Sequence, residues 1–256
     1  MTTRHPAVWI FTWMFLLLAS PCHAQEVVVV TEDFPPYNYI DPNTLKITGI
    51  CTEVVLAVFK ELGQEPDIRV YPWVRAYQMA LKEKNVLIYS MKRTEQRENL
   101  FKWAGELYTP QTYFIAYAKE PFPPVSSIDE LKGFRIGVLH GGAVDRALRK
   151  NGFQNVEGVS DRIQNWKKLK MGRIDFWCTC ILSARYLVTS SGDQIEDMNT
   201  VFLYEELSRD PLYMAFSAQT DDAIVDQYRQ AYQAVMQKGI YAGILKGHDM
   251  RISGSQ

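Results

Sequence analysis

The sequence predicts an α/β protein, and its periodicity fits two lobes. Three observations carry this. Strand-type and helix-type segments alternate along the chain, which favours mostly parallel sheets covered by helices. The alternation restarts after a proline-rich stretch. Two similar extended segments, alternating aromatic and small residues, bracket the second cycle, as in a chain that leaves one lobe, builds another and returns.

The first cycle opens with "EVVVVT" (26–31), a β-branched run suited to a buried strand. A turn-rich, aromatic loop follows, "FPPYNYIDPNTLKITG" (34–49). In "TEVVLAVFKELG" (52–63), Thr52 is the expected N-cap, apolar residues recur at helical spacing and Gly63 is the stop. "DIRVY" (67–71) reads as a strand, "WVRAYQMALKEK" (73–84) as an amphipathic helix and "NVLIYSM" (85–91) as a third strand. The first extended segment is "TYFIAYAKE" (112–120), which runs into the proline-rich exit.

The second cycle begins with a short helix, "SSIDELKG" (126–133), and the strand "FRIGVL" (134–139). "HGGAVDRALRKNG" (140–152) is a glycine turn opening a helix. A helix around 161–171, the strand "RIDFWC" (173–178), a helix around 181–189 and the strand "TVFLY" (200–204) complete it. The returning segment is "DPLYMAFSAQ" (210–219), and helices over 221–239 and 240–248 close the first lobe.

The first 24 residues have their own pattern: Arg4, an apolar core from Val8 to Ala19, and an ending Cys22-His23-Ala24. Twelve residues span ~18 Å at ~1.5 Å each, short of a ~30 Å hydrocarbon core. This is the pattern of a secretory signal cleaved after Ala24, which leaves an exported, soluble chain from Gln25 onward. An uncleaved anchor is the rival.

Cys51, Cys178 and Cys180 remain after cleavage, an odd number in an oxidising compartment, so at least one thiol is free or bonded between chains. Cys178 and Cys180 lie too close along a strand to favour bonding each other. Pairing of either with Cys51 stays open. These cysteines, His140 and His248 show no paired ligand spacing, which argues against a metal. A net charge of −1 gives no field favouring nucleic acid.

The richest cluster is "SMKRTEQRENLFKWAGELY" (90–108), with Lys92, Arg93, Arg97 and Lys102. If Thr94 caps a helix after the strand, Arg97 stands in its first turn, slightly disfavoured by the helix dipole. A nearby anion would offset this, and a guanidinium fork suits a carboxylate. The alternative is a solvated Arg97 paired with Glu95, Glu98 or Glu106.

Thr94, Arg97, Trp103 and Tyr108 resemble a motif of the amino-acid-type periplasmic solute-binding proteins, the type II periplasmic-binding-protein fold. "FPPYNYIDPNTLKITGI", "LKGFRIGVLHGG", "LKMGRIDFW", "YMAFSAQTDD" and "GIYAGILKGH" are similar to that family's other landmarks, in order, over nearly the whole chain. The resemblance implies two α/β lobes, residues 25–112 with 219–256 and residues 119–212, joined by hinge strands at 113–118 and 213–218. It implies a ligand in the cleft between them, bound for an inner-membrane ABC permease or a sensor protein, by a periplasmic monomer without a cofactor.

Carried over, Arg97 binds the ligand's carboxylate, helped by the backbone at Ser90 and Lys92. Phe34, Tyr37, Trp73 and Tyr89 line the first lobe's side, and Gly142, Ala143 and Cys180 the second's. Two departures stand out. The turn Gly141-Gly142-Ala143 lacks the usual threonines and offers only backbone donors. Cys180 stands where an aspartate commonly holds the ligand's ammonium, so the ligand lacks that ammonium, another acid (Asp33, Asp41 or Glu53) supplies the contact, or the site is remodelled. A lyase on the same fold is the competing function; the sequence offers only His140 as a near candidate for its acid.

Overall fold

A run of valines opens the first sheet, and the computed structural model shows what covers it. Residues 27–122 and 124–253 are described, with side chains as far as His248. The expected signal, residues 1–24, lies outside the described residues.

Lobe one contains β1 (Val28–Thr31), the small hairpin β2 (Tyr39–Ile40) and β3 (Ile47–Thr48), α1 (Ile50–Glu61), β4 (Ile68–Val70), α2 (Trp73–Lys82) and β5 (Val86–Lys92). A 3-10 turn at Glu95–Leu100 leads into β6 (Phe101–Tyr108). The chain then enters lobe two through β7 (Thr112–Tyr117), β8 (Ile136–Leu139), α3 (Ala143–Lys150), β9 (Val156–Val159), α4 (Ile163–Lys170), β10 (Phe176–Cys180), α5 (Ile181–Ser190) and β11 (Met198–Leu203). It returns through α6 (Glu205–Ser208) to β12 (Leu212–Ser217), α7 (Asp222–Gln237) and α8 (Ile240–Ser253).

Each lobe holds a five-stranded sheet, ordered β4-β1-β5-β12-β6 in the first and β11-β7-β10-β8-β9 in the second. Three adjacent strands in each are parallel: β4, β1 and β5, and β9, β8 and β10. β12 and β7 run antiparallel beside them. The chain crosses between sheets at residues 109–111 and 204–211. Of the segments expected as the hinge, 113–118 and 213–218, residues 113–117 lie in β7 and 213–217 in β12, hydrogen-bonded into their own sheets.

Side-chain alternation divides the core. Val29 faces a cluster with α1, α7 and α8, while Val30 faces another with Trp73, Ala76 and Tyr77 of α2. In lobe two, Phe176 and Cys178 pack with Leu148 of α3, and Trp177 with Trp166 and Val188 of α4 and α5. A fully buried side chain of this size contributes about 1.5–3 kcal/mol. An exposed ion pair contributes about 0–1 kcal/mol, so the sheet faces, not surface charges, hold each lobe.

Several local expectations change. Thr52 does not cap α1: the helix starts at Ile50 behind Gly49, and the Thr52 hydroxyl bonds the Tyr89 hydroxyl at 3.0 Å. Gly49 has φ 114°, and a Cβ there would meet the Tyr37 backbone at 2.6 Å, so this entry requires glycine. The segment after Thr94 is a six-residue 3-10 turn, with no side-chain cap from that threonine. The glycine turn does open α3, with Gly141 at φ 67°. Strands β6 and β9 had no counterpart in the sequence reading.

Candidate ligand-binding site

The C-terminal ends of the parallel strands of both sheets face each other, the place where open α/β sheets carry ligands. Between them lies a cavity of about 60 Å³. Its wall brings together Phe34, Trp73, Ser90, Lys92 and Arg97 from lobe one with Gly142, Ala143 and Cys180 from lobe two. Tyr37 and Tyr89 are not on it. Both are fully buried in the core of lobe one, Tyr37 stacked between Phe34 and Tyr108 and Tyr89 bonded to Thr52. They support the wall from behind.

Arg97 is 2% exposed, not a solvated charge. Its guanidinium lies 5.0 Å from the Trp73 ring centre and 5.1 Å from that of Tyr77. Nη1 donates to the Lys92 carbonyl at 3.0 Å, while the buried Nη2 makes no hydrogen bond. Desolvation pushes the group down to about 10, aided by repulsion from Arg146 and opposed by the Tyr77 hydroxyl, a weak acceptor outside hydrogen-bond geometry, so it stays cationic at neutral pH. The acids that could have paired with it are engaged elsewhere: Glu98 with Arg93, Glu95 with Lys150 and Glu106 with Thr109. A buried cation with an unused donor is costly unless an anion completes it.

Lys92 is buried beside it and donates to the carbonyls of Leu207 and Asp210 in the returning crossover, the latter at 2.9 Å. Burial pushes its ammonium below the ordinary lysine value. Two of its three donors therefore tie the site to the crossover. Ser90, between Tyr89 and Met91, is skipped in the pairing with β12 and has φ 61°. Such a bulge re-aims side chains, and a non-glycine residue held there marks strain of roughly 1–3 kcal/mol.

Lobe two presents the starts of two helices. The Gly141 amide donates to Asp145 Oδ2 at 2.7 Å and the Gly142 amide to the Leu139 carbonyl at 3.2 Å. The double glycine is thus not the source of free donors. Those are the first amides of α3, at Ala143 and Val144, which helix geometry leaves without intrahelical acceptors; both residues line the cavity. Cys180, 4% exposed, is the N-cap residue of α5, and its thiol lies 3.8 Å from Thr112 Oγ1. Cys51, Cys178 and Cys180 are all free thiols. Burial pushes Cys51 up to about 12 and Cys178 well above its ordinary value.

Among the wall residues not nominated from the sequence, two are charged. Glu32 follows β1, and Arg162 lies between β9 and α4. Arg162 Nη1 meets Glu32 Oε2 at 2.7 Å across the lobes and donates to the Asp33 carbonyl at 3.0 Å. Its guanidinium sits 3.9 Å from the Phe34 ring centre. The usable signal was position, since both follow parallel strands at the cleft-facing edge. Trp73 Nε1 adds a second inter-lobe bond, to the Gly141 carbonyl at 2.9 Å. The lobes are therefore closed, and ~60 Å³ holds a few water-sized molecules at about 10–15 Å³ each.

Of the other acids considered, Asp41 caps an exposed turn and Glu53 pairs with His248 at 3.0 Å. Asp33 is not on the cavity wall but lines a neighbouring pocket with Asp161. His140 is 67% exposed and is not on the cavity wall. Among the described residues, no group of three or more His, Cys, Asp or Glu is placed to hold a metal ion. None of the described helices is long and apolar enough to cross a membrane.

Relatives agree with this architecture. The chain is 23% identical over 214 residues to the L-cystine-binding protein TcyA of Bacillus subtilis (strain 168), covering 83% of this chain and 76% of that protein. Its fold is similar to an ancestral arginine-binding protein bound to arginine, with TM-score 0.75 and 19% identity over 88% of this chain and 99% of that one. A histidine kinase sensor domain with similarity to periplasmic binding proteins gives 0.76 and 17% over 87% and 95%. ArtJ, the arginine-, lysine-, histidine-binding protein of Geobacillus stearothermophilus, gives 0.72 and 18% over 87% and 94%. The family model for bacterial extracellular solute-binding proteins, family 3, matches residues 27–248, and the chain belongs to that family.

Proposed function

We propose that this protein is a periplasmic receptor that closes its two lobes around one small carboxylate-bearing solute, an amino acid or a related organic acid, and delivers it to an ABC-type importer. The observation that carries the reading is Arg97, a buried cation on the wall of the inter-lobe cavity whose Nη2 makes no hydrogen bond. In this reading, Arg97 and the first amides of α3 hold the carboxylate, and Phe34 and Trp73 flank the ligand's body. The crossovers at 109–111 and 204–211 serve as the hinge, and closure is what the membrane partner reads. Export by a signal cleaved after Ala24 belongs to the same proposal. The relatives reported above are binding proteins or a sensor domain, which favours reversible binding over turnover.

A second reading, ligand sensing without transport, is favoured by the similarity to the histidine kinase sensor domain. A thermal-shift screen of residues 25–256 against amino acids and organic acids tests what both readings share. A ligand at 100 times its Kd adds about 2.7 kcal/mol of stability. Saturable stabilisation by a carboxylate that is recovered unchanged supports the receptor. No response from any carboxylate, or conversion of the one that binds, contradicts it. Loss of uptake of that compound in a strain lacking the protein then separates transport from sensing.

A further inference from the structure

Resting on the carboxylate-receptor reading, we infer that the solute of this cleft is an organic anion with no positively charged group, a carboxylate lacking an α-ammonium. The charges on the cavity wall lead there. Lys92, Arg97 and Arg162 face it, against a single acid, Glu32. The Glu32 carboxylate is held by Arg162 at 2.7 Å, with both side chains at least nine-tenths buried. An ammonium entering the cleft would meet three cations and one engaged carboxylate. An ammonium that reaches that carboxylate must share it with the Arg162 guanidinium, which also stacks on Phe34 and helps hold the lobes together.

The remaining wall adds more positive character. The starts of α3 and α5 border the cavity through Ala143 and Cys180, and helix N-termini favour anions and disfavour cations. Arg97 on this wall is 2% exposed and its Nη2 makes no hydrogen bond, so the guanidinium has capacity for an acceptor. On lobe two the wall offers thiols and a hydroxyl, Cys178, Thr179 and Cys180, and no carboxylate. Asp210 lies behind the wall near Lys92 and Arg97, half-buried, where it tempers their charge without reaching the cavity. Asp145 is buried but is bonded to the Gly141 amide and Arg149. On this wall an added carboxylate meets three cations and two helix starts, whereas an added ammonium meets one carboxylate already shared with Arg162; Asp33 and Asp161 line the adjoining pocket instead.

The test is calorimetric titration of the wild-type chain, residues 25–256, at pH 7 with matched pairs differing only in the amine. Suitable pairs are aspartate and succinate, glutamate and glutarate, leucine and 4-methylpentanoate, and phenylalanine and 3-phenylpropanoate. The expected result is that in each pair that binds, the amine-free acid has at least an about tenfold lower Kd. Tighter binding of any amino acid than of its amine-free partner overturns the inference while leaving the carboxylate reading standing. Binding by neither member of any pair overturns the carboxylate reading and this inference with it. Cys180→Asp supplies the missing acid on the wall, and aspartate is a favoured N-cap for α5, so the helix keeps its start. This variant is expected to narrow the preference about tenfold or reverse it, with Cys180→Ser leaving it unchanged. An unaltered preference in Cys180→Asp overturns the charge argument.

Discussion

Replacing Arg97 by methionine keeps much of its length and removes its charge. In the free protein, the terms oppose each other. The variant loses the charged bond to the Lys92 carbonyl, about 1.5–3 kcal/mol, and stacking on two aromatic faces, from about 0.5 to 2 kcal/mol each. It gains relief from burying a cation with an unpartnered Nη2, about 1–3 kcal/mol and more for a charged donor. Repulsion by Arg146 also disappears. These ranges leave a net effect between little change and a loss of about 6 kcal/mol, and each kcal/mol lost lowers Tm by about 2–4 °C for a chain of this size. Ligand binding behaves differently. A buried carboxylate losing its guanidinium forfeits about 2–5 kcal/mol, or roughly 30-fold to several thousand-fold in Kd. Denaturant unfolding of the free protein and calorimetry with the tightest carboxylate from the screen measure the two effects separately. An unchanged Kd in the folded variant refutes the clamp.

Other predictions follow from the same contacts. Arg162→Ala removes the inter-lobe ion pair and the stacking on Phe34, and on opening the stranded Glu32 regains water; small-angle scattering of the unliganded variant should show a larger radius of gyration than wild type. Burial raises the Asp210 carboxyl above its ordinary 3.8, with Lys92 opposing, so the folded chain keeps that proton to higher pH than the unfolded chain. The associated stability is fully present below 3.8 and lost as pH rises through the folded value, so Asp210→Asn should be more stable than wild type at pH 7 and match it near pH 3 in denaturant titrations. Gly49→Ala forces a Cβ to 2.6 Å from the Tyr37 backbone at positive φ, and urea unfolding should show a loss of roughly 1–3 kcal/mol.

The fold was legible where side-chain period and burial coincide. The valines of β1 and the spacing of α1 and α2 each have one environment that satisfies them, and the alternation of elements implies parallel sheets. β6 was less visible because "FKWAGELY" mixes a lysine, a glycine and a glutamate into a strand whose polar residues reach its solvated side. Thr52 misled because a hydroxyl near a helix start serves equally as a cap or, as here, as a partner for a buried phenol. In the site, Arg97 and its neighbours could be nominated from one local cluster. Glu32 and Arg162 lie 130 residues apart, and their pairing depends on how two lobes face each other. No local pattern encodes that. The Gly141-Gly142 turn was likewise legible as a turn, but its use of both amides internally was not.

The most direct measurement is a crystal structure of the chain with its tightest carboxylate ligand. A carboxylate oxygen is expected within hydrogen-bond distance of Arg97 Nη2, with protein from both lobes around the ligand. A ligand bound outside the cleft, or one inside it with Nη2 still lacking an acceptor, contradicts the clamp.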